Sequence, residues 1–106
     1  MVKNDYYIKF TESAFNDLDE IYFYITHETS NENIADNILE EIEKSIYRLK
    51  EFPQIGNLIN NNVFKKRGYR KLVIGNYIII YKINQSLKSI YILRILYSSR
   101  NYISLL

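Results

Sequence analysis

The sequence predicts an α+β fold with the element order β-α-α-β-β-β, in which a helical hairpin packs on one face of a twisted, mainly antiparallel sheet. Three observations predict it: a short alternating run opens the chain, two stretches of helical periodicity follow, and three strand-like runs fill the second half. The chain has 106 residues, the size of one small domain. We therefore expect a single domain over residues 1–106, with helices layered on a sheet.

The first strand and the first helix occupy the N-terminal quarter of the chain. Residues from Tyr6 to Phe10 alternate in polarity, which indicates a short strand. Thr11 is a favourable N-cap, and the apolar residues after it recur at helical spacing, which predicts an amphipathic helix from about Glu12 to Glu28. Its apolar stripe comprises Ala14, Leu18, Ile21 and Ile25, and its solvent face is expected to carry Asp17, Asp19 and Glu20.

The second helix follows after only a few residues. Ser30 or Asn31 can cap its start, and isoleucines recur every four residues along one face. Pro53 ends it, because the residue before a proline disfavours helical backbone. Two helices joined by so short a connection pack as an antiparallel hairpin.

Residues 54–68 break the periodic pattern and are interpreted as a loop. Gly56 and three consecutive asparagines favour turns, and Lys65, Lys66 and Arg67 close the segment with three cations. A loop of about 15 residues is long for a compact domain, and such loops are often functional or mobile. A plain linker is the competing interpretation.

Three strands are predicted in the C-terminal half, over Tyr69–Ile74, Tyr77–Ile83 and Ser89–Tyr97. Gly75 and Asn76 favour a tight turn between the first two. The middle strand is apolar on both sides, which is typical of a central strand. The helical hairpin covers only one face of the sheet, so another part of the chain, or a partner, is expected to cover the other face.

Composition excludes several classes of site. The chain has no cysteine, so disulfides, thiolate catalysis and cysteine-ligated zinc are excluded, and His27 is its only histidine. Three scattered glycines form no phosphate-binding loop. We therefore expect no metal, no cofactor and no small-molecule substrate. The N-terminus lacks a signal-peptide pattern and no apolar stretch could span a bilayer, which predicts a cytoplasmic protein without a membrane partner.

Charge is strongly divided along the chain. Residues 1–53 carry five basic and twelve acidic side chains, a net charge of −7, whereas residues 54–106 carry nine basic and no acidic side chains, a net charge of +9. The overall charge of +2 conceals this division. Such an asymmetry indicates a surface for a polyanion or for an acidic partner.

Cations and tyrosines of the basic half are the side chains best suited to function. Lysine and arginine neutralise phosphates, and tyrosine rings stack on bases. In an enzyme the cations would stabilise negative charge at phosphorus, and a tyrosine would transfer a proton. Packing on the strands is the competing interpretation of the tyrosines. Arg70 and Arg94 fall within predicted strands, where a cation has to be paired or face a groove.

An ordered series of short motifs resembles the RelE/ParE toxin superfamily of bacterial type II toxin–antitoxin modules. The motifs are Ala14 with Asp17-Leu18 and Ile21, Leu49-x-x-Phe52-Pro53-x-x-Gly56, Gly68-Tyr69-Arg70, Tyr77-Ile78-Ile79-Ile80-Tyr81, and Ile92-Leu93-Arg94-Ile95-Leu96-Tyr97-x-x-Arg100. They cover nearly the whole chain. The resemblance implies a growth-inhibiting toxin that a cognate acidic antitoxin blocks by lying against the sheet half.

Within this superfamily the chain resembles the ParE branch more closely than the RelE branch. Ribosome-dependent mRNA-cleaving members typically carry an arginine where this chain has Ile78, whereas the ParE branch tolerates an aliphatic residue there and shares the Gly68-Tyr69-Arg70 motif. Tyr97 departs from the ParE branch, in which a histidine is common at that position. The studied ParE members poison DNA gyrase without cleaving RNA, so the resemblance implies gyrase as the target. The alternatives are a RelE-like, ribosome-dependent mRNA endonuclease and a non-toxic nucleic-acid-binding module.

The charge pattern and the resemblance together select the candidate functional residues. For a nuclease, the catalytic candidates are Arg70, Tyr97, Arg100 and Tyr102. The candidates for binding the target or the antitoxin are Lys65, Lys66, Arg67, Arg70, Lys71, Arg94 and Arg100.

Overall fold

A computed structural model describes residues 5–98 and 102–106 of the chain. The elements in chain order are β1 (Tyr7–Phe10), α1 (Glu12–Thr29), α2 (Glu32–Arg48), β2 (Asn57–Leu58), α3 (Asn62–Lys66), β3 (Arg70–Ile74), β4 (Tyr77–Asn84), β5 (Ser89–Tyr97) and a final 3-10 helix (Tyr102–Leu105). The expected α+β class and the expected order of the main elements are confirmed. None of the helices in the described ranges combines the length and hydropathy of a membrane span.

The five strands form one mixed sheet in the order β1-β5-β4-β3-β2. β1 runs parallel to β5, and the other neighbours are antiparallel. Between β4 and β5 the register shifts, because Ile80 lies opposite Arg94 whereas Tyr81 lies opposite Ile92. Leu93 is therefore an extra residue in β5, a bulge that bends the strand locally.

Side-chain caps set the helix boundaries. The hydroxyl of Thr11 accepts a hydrogen bond from the first turn of α1, as expected for an N-cap. Asn31 caps α2, since its side-chain oxygen accepts from Asn33 N–H at 2.9 Å. Ser30 adopts the left-handed conformation (φ 53°) and ends α1 instead.

The helical hairpin covers one face of the sheet and forms the larger core with it. Ile42, Ile46 and Leu49 of the α2 segment pack against the strands, where Ile79 and Tyr81 are fully buried. The isoleucine periodicity of the sequence thus marks the face of α2 that packs on the sheet, and burial of these side chains provides the main driving force for folding.

The opposite face of the sheet has its own, smaller core, and the chain itself covers it. Ile78 and Ile80 of β4 project there together with Ile59, and all three are buried. The covering side chains come from the segment before β3 and from the C-terminal segment: Phe64, Tyr69, Tyr102, Ile103 and Leu106. The sequence left open whether the chain itself or a partner covers this face, and in the structure the chain itself covers it.

The interpretation of residues 54–68 as a plain loop is wrong in part, because the segment contains β2 and α3. Asn61, within the run of three asparagines, is the N-cap of α3. Its side-chain oxygen accepts hydrogen bonds from Val63 N–H and Phe64 N–H. Phe64 then stacks on Tyr69, with ring centroids 5.4 Å apart. A helix of five residues is not stable by itself, so this packing stabilises it.

Candidate functional site

Arg70 is fixed by the backbone of the segment before β3. Its guanidinium Nη1 donates a hydrogen bond to the carbonyl oxygen of Gly56 at 2.6 Å. Arg70 lies opposite Tyr81 in the β3–β4 register, and its neighbours at alternate positions, Leu72 and Ile74, belong to the larger core. This side chain therefore has a structural contact on the helix-covered face of the sheet.

Tyr81 joins the same segment to the centre of the sheet. Its hydroxyl donates to the carbonyl oxygen of Pro53 at 2.8 Å and accepts from Gly56 N–H at 2.9 Å. Burial raises the pKa of the Tyr81 phenol, against the opposing effects of the Gly56 hydrogen bond and the Arg70 charge. A Cβ at position 56 would lie 2.6 Å from the carbonyl oxygen of Lys71, so only glycine fits there. This close approach explains the glycine of the Phe-Pro-x-x-Gly motif.

Arg94 is engaged in an ion pair with Asp17 of α1. Nε donates to Oδ2 at 2.8 Å and Nη2 donates to Oδ1 at 2.9 Å, a bidentate arrangement. Arg94 Nη1 also donates to the carbonyl oxygen of Leu105 at 3.1 Å. The hydrogen bonds to Asp17 raise the pKa of the Arg94 guanidinium. A cation within a strand was expected either to be paired or to face a groove, and Arg94 is paired.

Asp17 is buried, so the prediction that it lies on the solvent face of α1 is wrong. Only 5% of the residue is exposed. Its Oδ2 also accepts from Ile95 N–H at 2.9 Å, just beyond the point where β1 stops pairing with β5. The carboxylate therefore continues the hydrogen bonding of β5 where the neighbouring strand ends. Asp17 lies three residues after Ala14 and four before Ile21, so the helical spacing itself carried this signal.

Lys71 and Tyr102 meet on the opposite face of the sheet. Lys71 Nζ donates to the Tyr102 hydroxyl at 3.3 Å and lies 5.6 Å from the centroid of its ring. This contact fastens the C-terminal 3-10 helix to β3. Both candidate residues thus help the C-terminal segment to cover the smaller core.

Lys65, Lys66 and Arg67 form an exposed basic cluster at the end of α3. Tyr97 is also exposed, at the end of β5, where its ring meets Tyr77 edge-on at 5.6 Å. Arg100, a candidate in both sets, lies outside the described residues. The α3 cations are thus the members of the binding set whose side chains are most open to a partner.

The described catalytic candidates do not converge on one point. Arg70 pairs with Tyr81 and Tyr97 pairs with Tyr77, positions four residues apart along β4. At the rise of a β-strand this separation is roughly 13 Å. Tyr102 lies on the other face of the sheet, beside Lys71.

A groove between α1 and the end of β5 was not anticipated from the sequence. Its volume is about 470 Å³, and among the described residues it is lined by Asp17, Glu20, Ile21, Tyr24, Tyr77, Ile95, Leu96 and Tyr97. The tyrosines come from three different elements, so no local pattern brings them together. In the described ranges, no group of three histidine, cysteine, aspartate or glutamate side chains is arranged to hold a metal ion.

The chain matches the model of a known protein family over most of its length. Residues 8–102 match the family model described as the ParE toxin of the type II toxin–antitoxin system parDE. The chain belongs to the ParE toxin family. The assignment to the RelE/ParE superfamily and to its ParE branch is thereby confirmed.

Solved structures agree on the fold of this ParE toxin. The chromosomal ParDE system from P. aeruginosa contains a chain of 23% identity and TM-score 0.72; the match covers 90% of the present chain and 98% of that chain. The RelBE2 toxin–antitoxin complex from Mycobacterium tuberculosis contains a chain of 19% identity and TM-score 0.61. That match covers 91% of the present chain and 94% of that chain. The intact E. coli RelBE toxin–antitoxin complex contains a chain of 14% identity and TM-score 0.62. That match covers 90% of the present chain and 99% of that chain. No curated protein gives a significant match.

Proposed function

We propose that this ParE toxin stops bacterial growth by interfering with DNA gyrase, does not cleave mRNA, and is held inactive by a cognate acidic antitoxin. The observation that carries the proposal is the apolar, covered state of the sheet face opposite the helices. Ile78 and Ile80 are buried there beneath the C-terminal segment and the segment before β3.

On this face of the described chain, the groups that RNA cleavage could use are already engaged, because Lys71 Nζ donates to the Tyr102 hydroxyl. Attack by a ribose 2′-hydroxyl requires a proton acceptor and cations near the phosphorus, and both have to reach the RNA. Ile78 stands at the position where the resemblance to mRNA-cleaving relatives implies an arginine, and it is only 5% exposed. Loss of one such charge-stabilising group typically costs about 100–1,000-fold in rate. A substrate strand would also have to displace Tyr102 and Ile103.

The strand cations also favour a non-catalytic protein. Arg94 is neutralised by Asp17, and Arg70 donates to the Gly56 carbonyl. These two side chains support the fold, and a nuclease would have to release them from those contacts before they could stabilise a transition state.

The proposal assigns antitoxin binding to the exposed cations of α3. Lys65, Lys66 and Arg67 lie next to one another in the half of the chain that carries a net charge of +9. An acidic segment would neutralise them, and such charge pairing both steers and orients association. The P. aeruginosa, M. tuberculosis and E. coli structures come from toxin–antitoxin systems, which supports a partner of this class.

Charge reversal tests this surface. We expect the variant in which Lys65, Lys66 and Arg67 are all changed to Glu to bind the antitoxin more weakly, mainly through a lower association rate. The matched control reverses three exposed cations elsewhere, Lys9, Lys44 and Lys88. Equal binding by both variants and the unmodified toxin would place the antitoxin elsewhere. Reversal of Arg70 or Arg94 is a poor test, because both hold the fold.

Induction in a bacterial host tests the target, with two readouts from the same culture. Growth should stop when the toxin is induced alone and continue when the adjacent small reading frame is co-expressed. Chloroquine gels should reveal relaxed plasmids, and primer extension should find the translated mRNAs uncut. Cut mRNA with normal plasmid supercoiling would identify a nuclease instead. Normal growth in both cultures would refute toxicity, and salt-dependent nucleic-acid binding would then favour the non-toxic binding module.

A further inference from the structure

We propose that the groove between α1 and the end of β5 binds an arginine side chain of a partner polypeptide. The proposal does not depend on gyrase being the target, because it concerns a different surface from the α3 cations and requires no cleavage or topoisomerase chemistry. It is carried by the shape of the groove, by three tyrosines and by the net negative charge of the lining.

The shape suits a long, partly apolar side chain. The groove has a volume of about 470 Å³, and Ile21, Ile95 and Leu96 line it. Ile21, which is partly exposed, and Ile95 of the larger core provide an apolar floor. The methylene groups of an arginine can lie on such a floor while its charged head stays at the rim.

The tyrosines provide faces for a planar cation. Tyr77 and Tyr97 meet edge-on at 5.6 Å, and Tyr24 of α1 lines the same groove with 65% of its surface exposed. Burial raises the pKa of the Tyr77 phenol, and the nearby hydroxyls of Tyr97 and Tyr24 raise it further, so the three phenols are close neighbours. The negative face of an aromatic ring attracts a cation, and guanidinium groups also stack on it.

The charge in the groove is negative. Two carboxylates line it, but Asp17 is neutralised by Arg94. No salt bridge holds Glu20 in the part of the chain that the structure describes, and the side chain is exposed. Glu20 lies within electrostatic reach of Arg94, but two carboxylates against one guanidinium leave a net charge of −1 beside the three tyrosines. A guanidinium can stack on a ring and donate to a carboxylate at the same time, which a lysine ammonium does less well.

A titration followed by NMR tests the site with the unmodified chain. The probe is N-acetyl-arginine N-methylamide, and the matched control probe is the citrulline analogue, which has the same shape without the charge. We expect saturable shifts of the Tyr24, Tyr77 and Tyr97 ring signals with a dissociation constant in the millimolar range, about 1–10 mM. The citrulline analogue should cause no saturable shift at these rings.

Two variants separate the site from a general charge effect. Glu20→Gln should weaken arginine binding by about fivefold, as expected for loss of one exposed charge pair. Asp19→Asn removes the same charge from the neighbouring position of α1, outside the groove lining, and should leave binding unchanged. Heat denaturation of each variant verifies that both remain folded.

Each other outcome overturns the proposal. Absence of saturation up to about 50 mM would mean that the groove holds no arginine. Equal binding of the citrulline analogue would mean that the groove recognises shape without charge. Equal weakening by Glu20→Gln and Asp19→Asn would mean that the probe responds to the overall charge of α1 and not to this site.

Discussion

Arg94 and Asp17 lie 77 positions apart in the sequence and hold each other through two hydrogen bonds of 2.8 and 2.9 Å. The pair joins β5 to α1, and the third hydrogen bond of Arg94 reaches the C-terminal 3-10 helix at Leu105. Since Asp17 also accepts from Ile95 N–H, the Asp17–Arg94 pair fixes the strand, the helix and the tail relative to one another. The first and last motifs of the toxin family resemblance are thus two halves of one contact.

The variant Asp17→Asn tests this contact. It removes the negative charge but keeps the shape, so Arg94 loses its counter-ion in a largely buried position. We expect a loss of about 3 kcal/mol in the free energy of unfolding, measured by urea denaturation. Asp19→Asn, exposed on the same helix, is the control and should change stability by less than about 0.5 kcal/mol. Equal stability of the two variants would contradict a structural role for the pair.

Gly56→Ala tests the close approach behind the Phe-Pro-x-x-Gly motif. The new Cβ would lie 2.6 Å from the Lys71 carbonyl oxygen and 2.7 Å from the Tyr81 hydroxyl oxygen. Backbone has to shift to relieve these contacts, so we expect a destabilisation of about 1–3 kcal/mol. Asn57→Ala, at the exposed next position, is the control. If Gly56→Ala unfolded at the same urea concentration as this control, the packing around Tyr81 would have to be looser than described.

Alkaline pH should destabilise the protein through Tyr81, which is buried, and Tyr77, which is half-buried. Burial raises the pKa of Tyr81 and of Tyr77 in the folded state above the ordinary value of about 10. The unfolded chain therefore releases these protons at lower pH than the folded chain does. Their contribution to stability is complete below about pH 10 and is lost as the pH rises through the folded pKa values.

Urea denaturation across that pH range gives the measurement. Tyr81→Phe should be less stable at neutral pH, because it removes the hydrogen bonds to Pro53 and Gly56, but its stability should fall less steeply above pH 10. Tyr7→Phe, which removes an exposed hydroxyl, is the control. A slope for Tyr81→Phe as steep as that of the unmodified protein would contradict the prediction.

Ile78→Arg should not convert the toxin into a nuclease. The position is 5% exposed within the smaller core, so an arginine there would bury an unpaired charge and destabilise the protein by at least about 3 kcal/mol. Val73 lies directly opposite Ile78 on β3 and is 57% exposed, which makes Val73→Arg the matched control. We expect neither variant to cut translated mRNA. Cutting by a stably folded Ile78→Arg protein would refute the assignment of this face to structure alone.

Local patterns predicted the regular parts of the fold well. Thr11 and the isoleucine repeat of α2 act within single helices. The three strands after Gly68 are apolar runs separated by turn residues, and the sequence itself displays both features. The short helix α3 was missed, because its stability comes from the contact of Phe64 with Tyr69 and from cover over Ile59, and neither is apparent in a five-residue window.

The candidate site was predicted less well, for the same physical reason. Arg70 and Arg94 were selected as strand cations, but their partners, Gly56 and Asp17, depend on tertiary contacts. The tyrosine groove was missed because Tyr24, Tyr77 and Tyr97 are brought together only when α1 packs beside β5. Spacing along one element cannot reveal such a site.

A supercoiling assay with purified components tests whether this toxin acts on gyrase and not on RNA. Relaxed plasmid, ATP and DNA gyrase are incubated with increasing toxin, with and without its antitoxin. We expect the toxin alone to prevent the return of supercoils and the antitoxin to restore them. Undiminished supercoiling at every toxin concentration, together with ribosome-dependent cutting of mRNA by the same preparation that Arg100→Ala abolishes, would contradict this expectation.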